Sequence, residues 1–225
     1  MENTETQLSV YLKNVCIAYD KTILSDVNLQ IAKGEFVYLI GKTGSGKSTL
    51  LRCIYADAQM GSGEGTVCGY NLKNISKKNI PLLRRKLGIV FQDMQLLNDR
   101  TVYDNISFVL KATGIKDKNI IKEKVMYALA NVGLNDKASV YPFNLSEGER
   151  QRIALARATV NSPELIIADE PTGNLDPITS EEIVKLLFKI NKEQGTTVLM
   201  ATHDYLIIND FRSRVISCEN GRIVE

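Results

Sequence analysis

Several features that mark other classes of protein are missing from this sequence of 225 residues. No apolar run is long enough to cross a bilayer, and the N-terminus is polar and acidic where a signal peptide would be basic and then apolar. The formal net charge is only +2, which gives no reason to expect a nucleic-acid partner. We therefore expect a cytosolic protein that does not bind nucleic acid.

The sequence also lacks the cysteine and histidine clusters that bind metals or form disulfide frameworks. Its four cysteines are scattered, with no close pair at metal-ligand spacing. We expect reduced, structural thiols at Cys16, Cys53, Cys68 and Cys218. His203 is the only histidine, and a lone histidine is more often a hydrogen-bonded structural residue than a catalytic one.

Residues 41–48 match the phosphate-binding pattern G-x-x-x-x-G-K-[ST] without a mismatch. A β-rich apolar run precedes this loop and a plausible helix follows it, so a chance glycine-rich turn is disfavoured. The glycines allow the backbone N–H groups and the positive helix N-terminus to face an anion. Lys47 is expected to reach the β- and γ-phosphates, and the Ser48 hydroxyl to bind Mg²⁺. The loop therefore predicts a nucleoside-triphosphate site.

Alternating apolar and polar residues predict an antiparallel β layer near the start of the chain. Residues 8–12 and 15–19 are predicted as two separate strands, and residues 27–31 as a third. Tyr19 is either a half-buried residue of this layer or a ring that stacks on a purine base. The glycine-rich residues 61–65 predict a flexible turn before a short strand at 66–68.

Apolar runs farther along the chain predict a parallel core sheet. Its strands are expected at residues 36–40, 87–91, 165–168 and 198–201. Pro81 is expected to open a short helix that reaches residue 86. Asn220-Gly221 predicts a hairpin between residues 215–218 and 222–224. This order of elements predicts an α/β fold.

Residues 99–158 have a helical pattern and are expected to form a subdomain inserted into the α/β core. Val125, Ala128, Leu129 and Val132 repeat at helical spacing, and Gly133 supplies a stop signal.

Ser146 and Glu149 have the spacing of a capping box and predict the start of a further helix. The sequence pattern alone leaves two interpretations of Ser146 open. It is either a simple helix cap or part of a second anion-binding helix N-terminus.

Polar side chains follow three of the predicted core strands. Gln92 follows the strand at 87–91, where it would contact Mg²⁺ or water, or merely cap the next segment. Asp169 and Glu170 end the second, and successive side chains there point to opposite faces. In phosphate-loop enzymes such an Asp belongs to the Mg²⁺ shell and a following acid can polarise the attacking water. His203 ends the third strand, which favours a functional role for it.

Taken together, these motifs resemble the ATP-binding subunits of ABC transporters along nearly the whole chain. The resemblance implies a P-loop NTPase (RecA-like) core with an antiparallel β subdomain and an inserted α-helical subdomain. It implies one nucleotide-binding domain over residues 1–225, with its core at 1–93 and 158–225 and its helical subdomain at about 94–157. The motifs that occur in the family's order are the loop at 41–48, Gln92, residues 145–149, Asp169-Glu170, residues 174–176 and His203.

The resemblance implies an ATP sandwich in which two copies close head-to-tail around two ATP molecules. Ser146 and Gly148 of one copy would reach the γ-phosphate that Lys47 of the other copy holds. Glu170 would be the general base, and His203 would hold the γ-phosphate and orient the water. Lys47, Glu170 and His203 are thus the expected catalytic residues.

The remaining site residues follow from the same resemblance. Asp176 would line the dimer interface. Mg²⁺ would be bound by Ser48, Gln92 and, through water, Asp169. The other expected ATP contacts are Tyr19, Gly41, Lys42, Thr43, Gly44, Ser45, Gly46 and Thr49, together with Gln92.

The signature at residues 145–149 departs from the family's usual pattern. It has Glu147 where a second glycine is usual and Glu149 where glutamine is usual. A carboxylate that pointed at a triphosphate would be costly, so we expect Glu147 to point away from it. Slow hydrolysis is compatible with this departure.

Residues 80–105 are similar to the FtsE family of bacterial cell-division ATPases, the cytoplasmic partners of the membrane protein FtsX. This similarity implies a peripheral location on the cytoplasmic face of the bacterial inner membrane and a role in regulating septal peptidoglycan hydrolases. The membrane partner would dock in an apolar groove formed by Met94, Leu96, Leu97 and Val102. The alternatives are an ATPase for lipoprotein release or export, and an ATP-gated scaffold with negligible turnover.

Overall fold

The computed structural model describes residues 7–18 and 22–225, and their strands form two sheets. The strands are β1 (Leu8–Ala18), β2 (Thr22–Ala32), β3 (Phe36–Ile40), β4 (Met60–Val67), β5 (Tyr70–Asn71), β6 (Leu87–Val90), β7 (Leu165–Asp169), β8 (Thr197–Ala201), β9 (Arg214–Glu219) and β10 (Arg222–Val224). The helices are α1 (Lys47–Ile54), α2 (Asn79–Arg85), α3 (Val102–Ala112), α4 (Lys118–Asn131), α5 (Glu147–Thr159), α6 (Pro177–Gln194) and α7 (Tyr205–Asp210). Short 3-10 turns occur at Asn135–Lys137 and Pro142–Asn144.

The larger sheet has the strand order β10-β9-β3-β8-β7-β6 and is parallel except for the edge strand β10. Strands β3, β7 and β8 are apolar at nearly every position because both faces of this sheet are covered. The carboxyl ends of β3, β6, β7 and β8 meet at one edge. That edge positions the phosphate loop and the polar residues that follow the other strands.

The two faces of the parallel sheet belong to two different hydrophobic clusters. In β3, Val37 and Leu39 pack with α1 and the antiparallel sheet, whereas Phe36 and Tyr38 pack with α5 and α6. This alternation follows from the two-residue period of a strand. Helix α1 therefore lies between the two sheets, and its buried face fixes the end of the phosphate loop.

The antiparallel sheet, with strand order β2-β1-β4-β5, differs from the sequence prediction in two places. Residues 8–12 and 15–18 form the single strand β1, because an irregularity at Asn14 (φ 52°) lets the strand continue. Residues 61–65 belong to β4 and are not a turn. A Cβ atom at Gly63 would lie 2.5 Å from the carbonyl oxygen of Asn14, so glycine is needed where β4 crosses this irregularity. Tyr19 lies outside the described residues.

Two local predictions in this part of the fold have opposite outcomes. Helix α2 begins at Asn79, so the prediction that Pro81 opens it is wrong. Pro81 is tolerated because the first four N–H groups of a helix have no partner within the helix. The hairpin between β9 and β10 is confirmed, with positive φ at both Asn220 and Gly221.

Helices α3, α4 and α5 surround a third hydrophobic cluster whose fully buried members all come from residues 102–160. The predicted apolar face of α4 is confirmed, since Val125, Ala128, Leu129 and Val132 are buried in this cluster. Gly133 has φ 72° just after the helix and permits the chain to turn. Within the described residues, no helix combines the length and the hydropathy that a membrane span needs.

Candidate nucleotide-binding site

The loop between β3 and α1 is held in its shape by close backbone packing. A Cβ atom at Gly41 (φ 149°) would lie 2.6 Å from the carbonyl oxygen of Cys218 in β9. A Cβ atom at Gly46 (φ 113°) would lie 2.7 Å from Cδ2 of Leu24 in β2. The Cys218 thiol also donates a hydrogen bond to the carbonyl oxygen of Ser45, at 3.1 Å. Gly41 is needed because the obstacle is a backbone carbonyl group, whereas Gly46 is favoured mainly by its φ of 113°, a conformation that residues with side chains rarely adopt. The loop thus contacts both sheets.

The first turn of α1 presents backbone donors at the end of this loop. Gly46 is the N-cap residue and makes no side-chain cap, so the N–H groups of the first turn are available to an anion. Acidic residues are absent from that turn. Ser48 is exposed and Thr49 is half-buried beside it. This geometry fits the predicted phosphate site.

Lys47 points back across the loop it follows. Its Nζ donates to the carbonyl oxygen of Gly41 at 2.8 Å and lies 3.4 Å from Oε1 of Glu170. Lys47 is 7% exposed, which is rare for a lysine without a carboxylate partner. The ammonium group therefore lies between the phosphate loop and the end of β7.

Asp169 is a half-buried carboxylate that the surrounding groups satisfy only in part. Burial raises the pKa of Asp169, and nearby Glu170 adds to this, while a hydrogen bond from Ser48 and the charge of Lys47 oppose it. Its Oδ1 is buried and has no hydrogen-bond partner among the described residues. A hard cation prefers oxygen ligands such as this carboxylate and the Ser48 hydroxyl. The donor set at this point therefore fits Mg²⁺.

Glu170 and His203 are brought into direct contact at the sheet edge. Nδ1 of His203 and Oε2 of Glu170 are 2.7 Å apart, while the other carboxylate oxygen faces Lys47. The backbone of Glu170 is in the left-handed region, with φ 48°, and its N–H donates to the carbonyl oxygen of Ala201 at 3.0 Å. Such a conformation costs about 1–2 kcal/mol in a residue with a side chain. The fold thus holds this carboxylate in a strained backbone position between two basic side chains.

Gln92 follows β6, the edge strand beside β7, and its side chain is exposed. The structure therefore places it at the same sheet edge as Asp169. The two residues at Met94 and Gln95 have positive φ values of 58° and 47°. Their carbonyl oxygens accept hydrogen bonds from Arg157. The sequence prediction missed Arg157, because its partners are backbone atoms with no sequence signature.

Ser146 forms the predicted capping box of α5. Its Oγ accepts a hydrogen bond from the N–H of Glu149 at 3.2 Å, and its own N–H donates to Oε2 of Glu149 at 2.9 Å. The hydrogen bond from the Ser146 N–H, assisted by Lys137, lowers the pKa of Glu149. Ser146 is exposed. Its side chain is therefore engaged as a cap and also accessible from outside the chain.

Gly148 and Asp176 meet the same side chain, Thr179. A Cβ atom at Gly148 would lie 2.5 Å from Cγ2 of Thr179, and the Thr179 hydroxyl donates to Oδ2 of Asp176 at 2.5 Å. Asp176 also caps α6 through the N–H groups of Ile178 and Thr179. Hydrogen bonds from Thr179 come first among the causes that lower the pKa of Asp176. The Thr179 side chain thus leaves little room for a side chain at position 148 within the chain itself.

A cavity of about 590 Å³ lies against the phosphate loop. Its lining residues include Lys42, Thr43 and Gly44, with Tyr205 and the β9–β10 hairpin on other sides. Ser146 and Gly148 are not among them. In the part of the chain that the structure describes, the hydrogen bonds of Ser146 go to Glu149 of its own helix and not to the phosphate loop.

The predicted docking groove after Gln92 is wrong for two of its four residues. Val102 is fully buried in the helical cluster, and Met94 is 9% exposed. Val102 begins α3, and its side chain packs inward among the other helices. Leu97 is exposed and Leu96 is half-buried, so only these two could contribute to an external apolar surface.

Comparisons with known proteins agree with this geometry. Residues 24–173 match the family model described as ABC transporter. The chain belongs to the ABC transporter ATP-binding family. It is 49% identical over 217 residues to the cell division ATP-binding protein FtsE of Streptococcus pneumoniae (strain D39), covering 96% of this chain and 94% of that protein. It is also 49% identical over 201 residues to FtsE of Mycobacterium tuberculosis, covering 89% of this chain and 86% of that protein.

A solved structure has the same fold. The ATP-binding cassette MJ0796, in a dimeric post-hydrolysis state bound to ADP and Pi, superposes with a TM-score of 0.87. It is 35% identical, and the match covers 96% of this chain and 97% of that chain. The α/β P-loop fold of the ABC ATPase type is thus confirmed. The chain is an ATPase that binds ATP and hydrolyses it to ADP and phosphate.

We predict that Asp169→Asn stabilises the fold measured in EDTA without nucleotide. Burial raises the folded pKa of Asp169 above its unfolded value, so above the folded pKa the ionised carboxylate lowers the free energy of unfolding. The amide removes that charge, and we expect the Tm at pH 7.5 to rise by about 2–4 °C, which corresponds to about 1 kcal/mol in a chain of this size.

The gain should shrink as pH falls through the folded pKa, because the wild-type carboxyl is then also neutral. The matched control is Asp99→Asn, which removes an exposed carboxylate and should leave the Tm nearly unchanged. An unchanged or lower Tm in Asp169→Asn would contradict the account of this carboxylate.

Proposed function

We propose that this chain is the ATP-hydrolysing subunit of an FtsEX-like ABC complex. The sequence identity of 49% to FtsE over nearly the whole chain supports this assignment. The observation that supports the chemistry is the position of the Glu170 carboxylate between Lys47 and His203. Such an arrangement provides a base, a cation for phosphate and an orienting group within one small volume.

ATP would bind with its phosphates along the loop at 41–48. Lys47 would contact the β- and γ-phosphates, and the N–H groups of the first turn of α1 would donate to phosphate oxygens. Ser48 and Gln92 would bind Mg²⁺ directly and Asp169 through water. When bound, the cation neutralises negative charge on the β- and γ-phosphate oxygens. Tyr19 would stack on the base.

Glu170 would act as the general base. Its carboxylate accepts a proton from water while the water oxygen bonds to the γ-phosphorus and the bond to the β–γ bridging oxygen breaks. With Nδ1 of His203 engaged by Glu170, Nε2 is the ring nitrogen that would contact the γ-phosphate. The products are ADP and phosphate.

A second copy would complete the site. Ser146 is exposed at the N-terminus of α5, a terminus that favours anions, so it is accessible to a nucleotide held by another copy. The dimeric state of the MJ0796 cassette supports a dimer of this chain. Asp176, held beside Gly148 through Thr179, would line the same interface.

The proposed domain organisation is one nucleotide-binding domain over residues 1–225. Its core would span 1–93 and 158–225, and the helical subdomain about 94–157. The separate hydrophobic cluster of residues 102–160 supports a helical unit that moves as one body. The chain would lie on the cytoplasmic face of the inner membrane and transmit this motion to an FtsX-like integral membrane protein. That protein would in turn regulate septal peptidoglycan hydrolases. Leu97 is the exposed apolar residue that would contact that protein.

We predict that Glu170→Gln traps an ATP-bound dimer. Loss of the base should lower the rate of phosphate release by about 10²–10⁴-fold, because general-base catalysis contributes that much. ATP binding should persist, so size-exclusion chromatography with light scattering should show a dimer with Mg²⁺ and ATP. Lys47→Ala is the control and should remain monomeric under the same conditions. Normal hydrolysis by Glu170→Gln would exclude the base assignment.

The membrane partner can be identified by affinity purification of the tagged chain from native membranes. We expect an FtsX-like protein among the co-purified integral membrane proteins. Leu97→Asp should reduce its recovery, whereas Ile120→Asp, at another exposed apolar position, on α4, should not. Recovery of a different permease, such as one for lipoprotein release or export, would end the cell-division proposal.

A further inference from the structure

We propose that Arg157 is a positioning residue for ATP hydrolysis, because it fixes the segment after Gln92 to helix α5. This inference rests on the proposed role of Gln92 at the Mg²⁺ site. Arg157 itself would touch neither ATP nor the metal. Its effect would be to set where Gln92 stands relative to the phosphate loop.

The contacts of Arg157 are two short hydrogen bonds to consecutive carbonyl groups. Nη1 donates to the carbonyl oxygen of Gln95 at 2.6 Å, and Nη2 donates to that of Met94 at 2.5 Å. Both accepting residues have left-handed backbones, with φ 58° at Met94 and φ 47° at Gln95. Such conformations persist only when the surroundings impose them. The planar guanidinium, with its fixed fork of donors, is suited to impose this one.

The charge of Arg157 is satisfied in an unusual way. No carboxylate lies within salt-bridge distance of it in the part of the chain that the structure describes. Burial lowers its pKa, and the more distant charge of Asp93 opposes this effect. The guanidinium therefore depends on the two carbonyl oxygens. A partly buried cation that has only backbone acceptors resists displacement of those acceptors, because losing them would leave the charge unpaired.

The rest of the segment is also anchored to the helices. The Asn105 side chain in α3 accepts from the N–H of Leu97 at 2.8 Å and donates to the carbonyl oxygen of Leu97 at 3.0 Å. It also donates to the carbonyl oxygen of Thr101, at 3.0 Å. Residues 94–101 are thus held by α5 at one end and by α3 at the other. On the sheet side, the ring of Phe91 packs edge-on against Tyr55, with centroids 6.3 Å apart.

Gln92 therefore lies between Phe91, which packs against Tyr55, and residues 94–101, which are bound to helices α5 and α3. Arg157 is the nearest anchor on the helical side, since its acceptors begin at Met94, two residues after Gln92. Helix α5 also presents Ser146 at its N-terminus, about 16 Å away along the helix at 1.5 Å per residue. One rigid helix thus connects the Gln92 segment to the residue proposed to meet the other copy's ATP.

A merely structural role for Arg157 predicts different behaviour from a positioning role. If Arg157 only stabilises the fold, its loss should lower stability without changing how Mg²⁺ strengthens nucleotide binding. If it positions Gln92, its loss should weaken the contribution of Mg²⁺ and should add nothing once Gln92 has been removed. Double-mutant cycles separate these cases, because residues that act through one another are non-additive.

The experiment measures the Kd of AMP-PNP for the full chain by calorimetry, once with Mg²⁺ and once with EDTA. The Kd in EDTA divided by the Kd with Mg²⁺ gives the factor by which Mg²⁺ strengthens binding, and this quotient is the ratio compared below. We expect Gln92→Ala and Arg157→Ala each to lower this ratio about threefold or more, with the Kd in EDTA unchanged within about twofold. The double variant should match Gln92→Ala alone. ATP turnover should fall in kcat with little change in KM.

Two further variants guard against trivial outcomes. Arg157→Lys retains the charge but not the fork, and should show the same pattern with smaller amplitude, even if Arg157→Ala does not fold. Arg152→Ala is the matched control on the same helix, since it removes only an ion pair with Glu182 (2.8 Å), and should leave the ratio unchanged.

Failure of the inference is distinguishable from failure of the proposed function. If Gln92→Ala lowers the ratio and the folded Arg157 variants do not, or if the double variant loses the product of both effects, the positioning role is overturned. If Gln92→Ala itself leaves the ratio unchanged, the proposed metal role of Gln92 fails and the role of Arg157 falls with it.

Discussion

The close approach of the phosphate loop to the two sheets is the constraint on which the rest of the site depends. Gly41 lies against the carbonyl of Cys218 in the parallel sheet, and Gly46 lies against Leu24 in the antiparallel sheet. At Gly41 a side chain would collide with that carbonyl group, and at Gly46 the φ of 113° disfavours any residue with a side chain. The loop therefore takes its shape from backbone packing, and α1 begins with its N–H groups directed at the space beside the strand ends. Every other site residue is positioned relative to this fixed element.

The phosphate loop lies beside charged side chains whose positions serve function at a cost in stability. Lys47 is buried and Asp169 is half-buried. Glu170 takes a left-handed backbone conformation, and its carboxylate lies between Lys47 and His203. Each of these arrangements costs free energy that the surrounding core must offset. The parallel sheet can do so because both of its faces are covered by buried apolar side chains. Strain and desolvation of this kind are typical of sites that perform chemistry.

The sequence was sufficient to predict the elements whose signals are local. The phosphate loop, the capping box at Ser146 and the hairpin at Asn220 each depend on residues adjacent in the chain, and the structure contains all three. The errors arose where contacts between residues distant in the sequence determine the local structure or the burial of a side chain. A Cβ atom at Gly63 would collide with the backbone irregularity at Asn14, and the groove after Gln92 loses Val102 because helices farther along the chain bury it. Arg157 was missed for the same reason.

In the proposed mechanism each chain contains half of each ATP site, and mixed dimers test this arrangement. Lys47→Ala removes the phosphate contact, whereas Ser146→Asp retains a residue able to cap α5 but turns a negative charge toward the other copy's ATP. Each variant alone should be nearly inactive. Co-expressed copies should regain about a quarter of wild-type ATPase activity if the copies pair at random and up to about a half if every dimer is mixed, since each mixed dimer has one intact site. Full activity of Ser146→Asp alone, or no recovery on mixing, would exclude an ATP site shared between two copies.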